Sequence, residues 1–426
     1  MNHGSEELMI RTLIIAYSSY VRDARVKRHA KSLAERGDQV DVLCLENPEQ
    51  GMRDGVNVIG IKLAKYRGSS RTSYIRAYLR FMILASWTAL RLAVKRRYDA
   101  VIVCTMPDAI VLCALPLRLM GSKLILDVRD TMPELYREKF RGWGGKLAVR
   151  LLSLQEQSSA FLAHRVLAVH ELHRIRLEQI GIRRDKIAVV LNVPDERIFQ
   201  LRNSRTAASD DFTLVCHGTL TERLGLDVAI EAIDMLRKRV DSARLLVIGQ
   251  GDYLESYRAL VARLALQKRV RFLEPVPLEQ LPELLGNAQI GLVPNRAGAA
   301  TQLMLPVKLL EYAALGIPII AARLNAIRHY FDDDAVRFFE PGNPADLADA
   351  IEELYRQPLL RKRLAANAHV QIQPFAWERQ ESLYLSAIDS TLDSRADSHS
   401  KESLPQSYRD QTGSKCFKHE TNEFLD

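Results

Sequence analysis

Apolar and polar positions in the first half of the chain switch between two periods. RTLIIAYS is an apolar run of strand length, RVKRHAKSLAERG repeats its apolar residues at helical spacing, and QVDVLCLE is again strand-like. With Gly37 as the helix stop, these three pieces form a βαβ unit. Short apolar runs at Ala100–Cys104, Lys123–Val128, Val166–Val169 and Lys186–Leu191 continue the pattern and predict an open parallel sheet. In such sheets ligands gather beyond the carboxyl ends of the strands. Residues 198–211, IFQLRNSRTAASDD, lose the periodicity and read as linker.

A second β/α series opens at FTLVCHG. Its predicted strands are Thr213–Cys216, Arg244–Ile248, Val270–Leu273, Ile290–Val293, Pro318–Ala321 and Val336–Phe339, with helices at Leu226–Val240 and Leu254–Leu266 among them. The expected organisation is an N-terminal domain over 1–198, a linker over 199–211 and a C-terminal domain over 212–376. A helix over 377–393 packs back toward the first domain, and the polar, aperiodic tail 394–426 is expected to be disordered. The fold class is α/β, two Rossmann-like domains facing across a deep cleft.

Within the second series, LMLPVKLLEYAALGIPIIAA (303–322) carries the densest chemistry. Pro306 suits a first helical position, Gly316 stops the helix, and IPIIAA is a buried strand. Leu305 offers no cap to the orphan N–H groups of the first turn, where Lys308 stands against the helix dipole. A bound anion resolves both oddities: N–H groups and Lys308 converge on a phosphate, and Glu311 one turn on accepts from two ribose hydroxyls. That suits a nucleoside diphosphate; the bland alternative is an ordinary amphipathic helix.

His217, Gly218 and Thr219 follow a strand directly, and Arg223 and Gly225 stand before the next helix, as at strand-to-helix phosphate turns. Gly249 and Gly251 form a G-x-G turn that lacks the third glycine of a dinucleotide fingerprint, which disfavours a nicotinamide enzyme. In LILDVRDTMPELY, Asp127, Asp130 and Glu134 stand at and beyond a strand end, placed to bind acceptor hydroxyls or assist proton transfer. Asp130 reads equally well as the N-cap of the following helix.

The 426 residues exceed one compact core. Of the net charge of +8, ten Lys or Arg lie between Ile61 and Tyr98 with no Asp or Glu, so the rest of the chain nets −2. Five cysteines show no CxxC or Cys/His metal spacing, which fits a reducing cytoplasm, and the acidic N-terminus is unlike a signal peptide. The longest apolar stretch, Phe81–Leu90, is too short to span a bilayer.

DARVKRHAKSLAERGDQVDVL, LILDVRDTMPELY, IAVVLNVPDERIF, CHGTLTERLGLDVAIEAI, LLVIGQGDYLESYRALV and LPVKLLEYAALGIPIIAA together resemble the retaining glycosyltransferases of family 4, with the GT-B fold, over roughly residues 10–390. The resemblance implies a nucleotide-diphosphate sugar donor, UDP-sugar favoured, held mainly by the second domain through His217, Gly218, Thr219, Arg223, Gly249, Gly251, Met304, Lys308 and Glu311. It implies an acceptor held by the first domain, at Asp127, Asp130 and Glu134, and transfer with retention and without metal or cofactor. Asp127, Asp130, Arg223 and Lys308 are the catalytic candidates. Thr219 stands where many relatives carry Arg, Leu224 where they carry Lys, and Leu303 where they carry the first of two glutamates, so the donor sugar differs from the common pattern or activity is lost. LPVKLLEY resembles a branch that includes polysaccharide-assembly transferases, in which this Lys binds diphosphate.

Two other readings compete: a sugar-nucleotide epimerase of the same fold, and a non-catalytic sugar-nucleotide or polysaccharide-binding subunit. Nucleic-acid binding is disfavoured, since the basic stretch contains no recognisable module for it. In that stretch Arg76 and Arg80 share a helix face, with Tyr74, Tyr78, Phe81 and Met82 as nearby apolar contacts. Such a surface rests on an anionic leaflet and takes a lipid-linked saccharide from it, unless the helix is a core helix with a basic rim.

Overall fold

The computed structural model describes residues 9–45, 51–63, 71–139, 143–201 and 211–393. The expected tail and most of the expected linker lie outside them. Fourteen strands form two sheets. The first contains β1 (Arg11–Ala16), β2 (Gln39–Leu45), β3 (Gly51–Arg53), β4 (Val56–Ile61), β5 (Ala100–Cys104), β6 (Lys123–Val128), β7 (Arg165–Ala168) and β8 (Ile187–Val189). Their order is β3-β4-β2-β1-β5-β6-β7-β8, parallel except for the β3/β4 pair. The second contains β9 (Phe212–His217), β10 (Ala243–Ile248), β11 (Val270–Leu273), β12 (Ile290–Val293), β13 (Ile319–Ala322) and β14 (Val336–Phe339), in the order β11-β10-β9-β12-β13-β14. Both orders reverse beside a central strand, β1 in one and β9 in the other, which puts a ligand crevice at the carboxyl end of each.

The β3/β4 hairpin is absent from the sequence reading. Arg53 pairs with Val56 across Asp54-Gly55, both at positive φ, the two-residue Asp-Gly turn that hairpins favour.

Each sheet is covered on both faces. Helix Ala24–Arg36 starts at Asp23, whose side chain accepts from the Val26 N–H, and ends at Gly37 in the left-handed region. Its Val26, Ala30 and Leu33 share a core with Tyr384 and Ile388 of helix Trp377–Asp393, so the last described helix packs on the first sheet. On the opposite face, helices Arg71–Lys95 and Trp143–Leu162 flank the 3-10 segment Asp108–Ala114 and the short helix Leu115–Leu119. Phe81 is fully buried there and Tyr78 packs on Tyr17 at 4.6 Å, so these two rings face the protein and not a lipid surface. The side chain of Tyr74 lies outside the described residues. The second core takes in Leu191, Val193 and Phe199, so the chain crosses between cores ahead of the expected boundary.

Candidate active site

A cavity of about 1020 Å³ lies between the two sheets, lined from the first by residues after β1, β6 and β7 and from the second by Ala300, Leu303–Val307 and Glu311. Ligand pockets of this size hold a nucleotide or sugar.

Helix Val307–Ala314 starts one residue later than expected. Pro306, with ψ 127°, is the N-cap, and it supplies no side-chain cap. Gly316, at φ 66°, closes the other end. Leu309, Leu310, Tyr312 and Ala313 are buried, which fixes the helix rotation. Glu311 is buried too, and its Oε2 lies 2.6 Å from His217 Nε2 at the end of β9. His217 Nδ1 is 2.9 Å from the Tyr312 hydroxyl, which donates to the Val215 carbonyl at 3.2 Å. His217 thus holds Glu311 in place at the cavity wall. Lys308 Nζ is 3.7 Å from Cys216 Sγ, its one polar contact among the described residues. A thiol is a weak acceptor, so the ammonium keeps most of its capacity to bind an anion.

Two glycines of the loop after β10 pack against the loop after β9. A Cβ on Gly249 would overlap the Gly218 carbonyl oxygen, and one on Gly251 the Leu220 carbonyl oxygen. Gly249 and Gly251 are therefore required for packing one loop on another, and neither lines the cavity. Gly218, at φ 113°, and Thr219 are exposed. Arg223 is half-buried, and its Nε has no hydrogen-bond partner among the described residues.

Asp130 lines the cavity from the first domain. Burial pushes its carboxyl above the usual range, against the opposing pull of Arg223 and Arg129. Residues expected from separate domains are thus brought into one electrostatic neighbourhood. Asp130 is not the N-cap: the Thr131 carbonyl accepts from the Leu135 N–H at 3.0 Å, so Thr131 holds that position.

Asp127 and Glu134, both expected at the acceptor, are engaged by arginines. Asp127 is fully buried, accepts from Arg25 Nη2 at 2.7 Å and Nε at 3.1 Å, and from Arg129 Nε at 3.1 Å. Burial would raise its pKa, but the two guanidinium groups outweigh it and hold the carboxyl below its ordinary range. Three hydrogen bonds engage its two oxygens, and it does not line the cavity. Glu134 is bound by Arg176 at 2.6 and 2.8 Å, and the same guanidinium holds Glu156 at 2.7 and 2.9 Å. Both carboxylates serve to position arginines.

Three cavity residues escaped the sequence reading. His170 caps helix Glu171–Gln179: Nδ1 accepts from the His173 N–H at 3.2 Å, so the proton sits on Nε2, which donates to the Leu303 carbonyl at 2.7 Å. Burial pushes its pKa down to about 4, so the ring is neutral at pH 7. His173 is buried, and neither ring nitrogen has a hydrogen-bond partner among the described residues. Arg28 stacks 4.4 Å from the Trp377 ring and donates to Asn192 Oδ1 at 2.9 Å; burial lowers its pKa to about 10. A histidine at an N-cap position, where Ser, Thr, Asp or Asn is usual, was the one available sequence signal. Met304, a donor-contact candidate in the sequence, lines the cavity.

Two family models match, the Glycosyl transferase 4-like domain over residues 23–192 and Glycosyl transferases group 1 over 198–371. Among similar proteins, the GDP-mannose-dependent alpha-(1-6)-phosphatidylinositol monomannoside mannosyltransferase of Mycolicibacterium smegmatis is 27% identical over 46% of this chain and 51% of its own. The amylovoran biosynthesis glycosyltransferase AmsK of Erwinia amylovora is 26% identical over 44% of this chain and 46% of its own. The matches thus span about half the length of these relatives. Among solved structures, sucrose-phosphate synthase from Thermosynechococcus elongatus superposes with a TM-score of 0.73 at 14% identity, covering 91% of this chain and 100% of that one. Anabaena HepE, in complex with UDP and glucose, gives 0.69 at 17% identity, covering 89% and 100%. The fold is GT-B, and with each half matched by its own family model the chain belongs to the glycosyltransferases of family 4.

Proposed function

We propose that the protein is a retaining, metal-independent glycosyltransferase that moves a sugar from a nucleotide-diphosphate donor to a lipid-linked saccharide in cell-surface or exopolysaccharide synthesis. The observation that carries this reading is helix Val307–Ala314, whose first turn is uncapped and bears Lys308, with Glu311 buried one turn on at the cavity wall. The N–H groups, the dipole and Lys308 receive the diphosphate, and the Glu311 oxygen not bound to His217 receives a ribose hydroxyl. Relatives make polysaccharides and glycolipids, which supports the acceptor class.

In the proposed reaction the bond from the anomeric carbon to the diphosphate oxygen breaks, and an acceptor oxygen bonds to the same face. The acceptor proton passes to the departing phosphate oxygen. The protein contributes mainly by stabilising that leaving group electrostatically, through Lys308 and Arg223. Asp130 orients the acceptor hydroxyl. The basic residues of 61–98 hold the enzyme against the anionic inner leaflet, where a lipid-linked acceptor resides.

The base is tested by calorimetric titration with UDP and GDP, since HepE is seen with UDP and the mycobacterial relative is GDP-mannose-dependent. UDP is expected to bind. Lys308→Ala and Glu311→Gln should each weaken it by about 1.5–3 kcal/mol, the usual cost of a lost charge-assisted hydrogen bond. Unchanged affinity in both variants, or no binding of either nucleotide, overturns the assignment.

A further inference from the structure

Of the twenty-one large apolar side chains exposed among the described residues, thirteen lie on three neighbouring elements of the first domain. On helix Arg71–Lys95, Ile75, Leu79, Ile83 and Trp87 are 52–68% exposed, at a strict spacing of four residues. Phe81, Ala85 and Ala89 form the opposite, buried stripe. On helix Trp143–Leu162, Leu147, Leu151, Leu154 and Phe161 are 58–78% exposed at helical spacing, while Glu156, Ser159 and Ala160 face inward. Between the two helices, Leu112, Leu119 and Met120 are exposed as well. The segment that carries them is bonded to both neighbours: Cys113 Sγ lies 3.4 Å from the Met82 carbonyl oxygen, and Ser159 Oγ donates to the Asp108 carbonyl at 3.1 Å. All three elements form one layer on one face of the first sheet, so their outward stripes lie side by side.

Charge on this layer has one sign. Residues 71–98 and 109–126 contain no Asp or Glu, and the layer's two carboxylates, Asp108 and Glu156, are each 1% exposed, the latter bound to Arg176. Arg76, Arg80, Lys146 and Arg150 are exposed beside the apolar stripes. An exposed apolar patch of this extent marks an interaction surface. Its cation-flanked apolar stripes fit a leaflet in which hydrocarbon lies beneath anionic headgroups. Ile75–Lys95 is long and apolar enough to cross a bilayer, yet its Phe81 stripe is packed in the core, so it lies along the domain surface.

We infer that this three-element layer inserts its apolar stripes into an anionic leaflet, with helix Trp143–Leu162 as a second anchor beside helix Arg71–Lys95. The inference deepens the proposed membrane attachment, in which residues 61–98 act by charge alone. It places Trp87 below the headgroups and turns the opposite, helix Ala24–Arg36 side of the sheet away from the bilayer.

The test uses the full chain with vesicles of phosphatidylcholine alone or mixed with phosphatidylglycerol. Binding to the mixed vesicles, quenching of Trp87 by brominated acyl chains, and retention of part of the binding in high salt are expected. Leu151→Glu/Leu154→Glu, on exposed positions, should lower partitioning by about tenfold or more while 61–98 and the UDP-induced rise in melting temperature stay intact. Trp87→Phe should remove the Trp87 share of the quenching, read as the difference from wild type because Trp143 heads the second anchor helix, without loss of binding.

If the double variant binds as tightly as wild type, or Trp87 is not quenched while the protein sediments, insertion is overturned and charge attachment stands. If nothing sediments at low salt, both fall. A dimer that buries Trp87 without vesicles shows that a second copy covers this face, which also overturns the inference.

Discussion

Asp108 offers a stability test that reaches the floor beneath the cleft. It follows β5 at the start of the 3-10 segment, is 1% exposed, and neither carboxylate oxygen has a hydrogen-bond partner among the described residues. Burial pushes its carboxyl up from 3.8 to about 8, and Glu156 adds to the rise. Arg176 opposes it, but that guanidinium is already engaged by Glu134 and Glu156. Below about pH 4 the side chain is protonated in both the folded and unfolded states. Between 3.8 and about 8 the unfolded chain releases the proton and the native state keeps it, so the native state loses stability as pH rises. At ~1.4 kcal/mol per pH unit, the loss across that interval is on the order of 5 kcal/mol, complete near the folded value. Asp108→Asn removes this slope. Urea unfolding followed from about pH 5 to about pH 8.5 should give a difference between variant and wild type that grows in the variant's favour toward alkaline pH. The difference isolates Asp108, because Glu156 and Asp130, also raised by burial, remain in both proteins. Parallel pH profiles would show that Asp108 ionises normally and that a partner satisfies it.

Two further outcomes probe the neighbouring architecture. Arg25→Met leaves buried Asp127 with Arg129 alone and should cost about 3–5 kcal/mol near neutrality. Because the Asp127 pKa is held below 3.8, that gap should close as acid protonates it, and a calorimetric gap that persists at low pH refutes the pairing. Gly225→Ala drives a Cβ into the Pro294 carbonyl at φ 66°, whereas Gly218→Ala at φ 113° meets nothing within 4 Å. The first should destabilise more, by a further ~1–3 kcal/mol, and equal melting temperatures would refute the packing account.

The sheets were legible because parallel strands buried on both faces read as continuous apolar runs, and helices between them repeat at another period. The β3/β4 hairpin was not: β3 is three residues long and largely exposed, and the Asp54-Gly55 signal had no apolar run before it. Met304 and Glu311, both singled out in the sequence as donor contacts, line the cavity. The arginine partners of Asp127 and Glu134 were not legible, for a physical reason. A carboxylate beyond a strand end looks the same whether it faces a ligand or an arginine, and Arg25 lies 102 residues away from Asp127. His170 was invisible because its partner, the Leu303 carbonyl, is a backbone atom 133 residues distant.

That last contact bears on how the two halves work together. Segment 298–306 belongs to the second domain and leads into the proposed diphosphate helix, yet the first domain grips it twice. Glu138 Oε1 accepts from the Ala300 N–H at 2.7 Å, so the short helix Ala299–Gln302 is capped by a side chain from across the cleft. Gly298 leaves room for that carboxylate, since a Cβ there would overlap it. Three residues later His170 donates to Leu303, the position where many family members carry a glutamate. The neutral ring suits this bond, because Nδ1 must keep its lone pair for the His173 N–H. Leu303, Met304 and Leu305 are therefore positioned from the first domain while Pro306 begins helix Val307–Ala314. Opening the cleft must release both grips, so access to the proposed diphosphate site is coupled to the separation of the two domains.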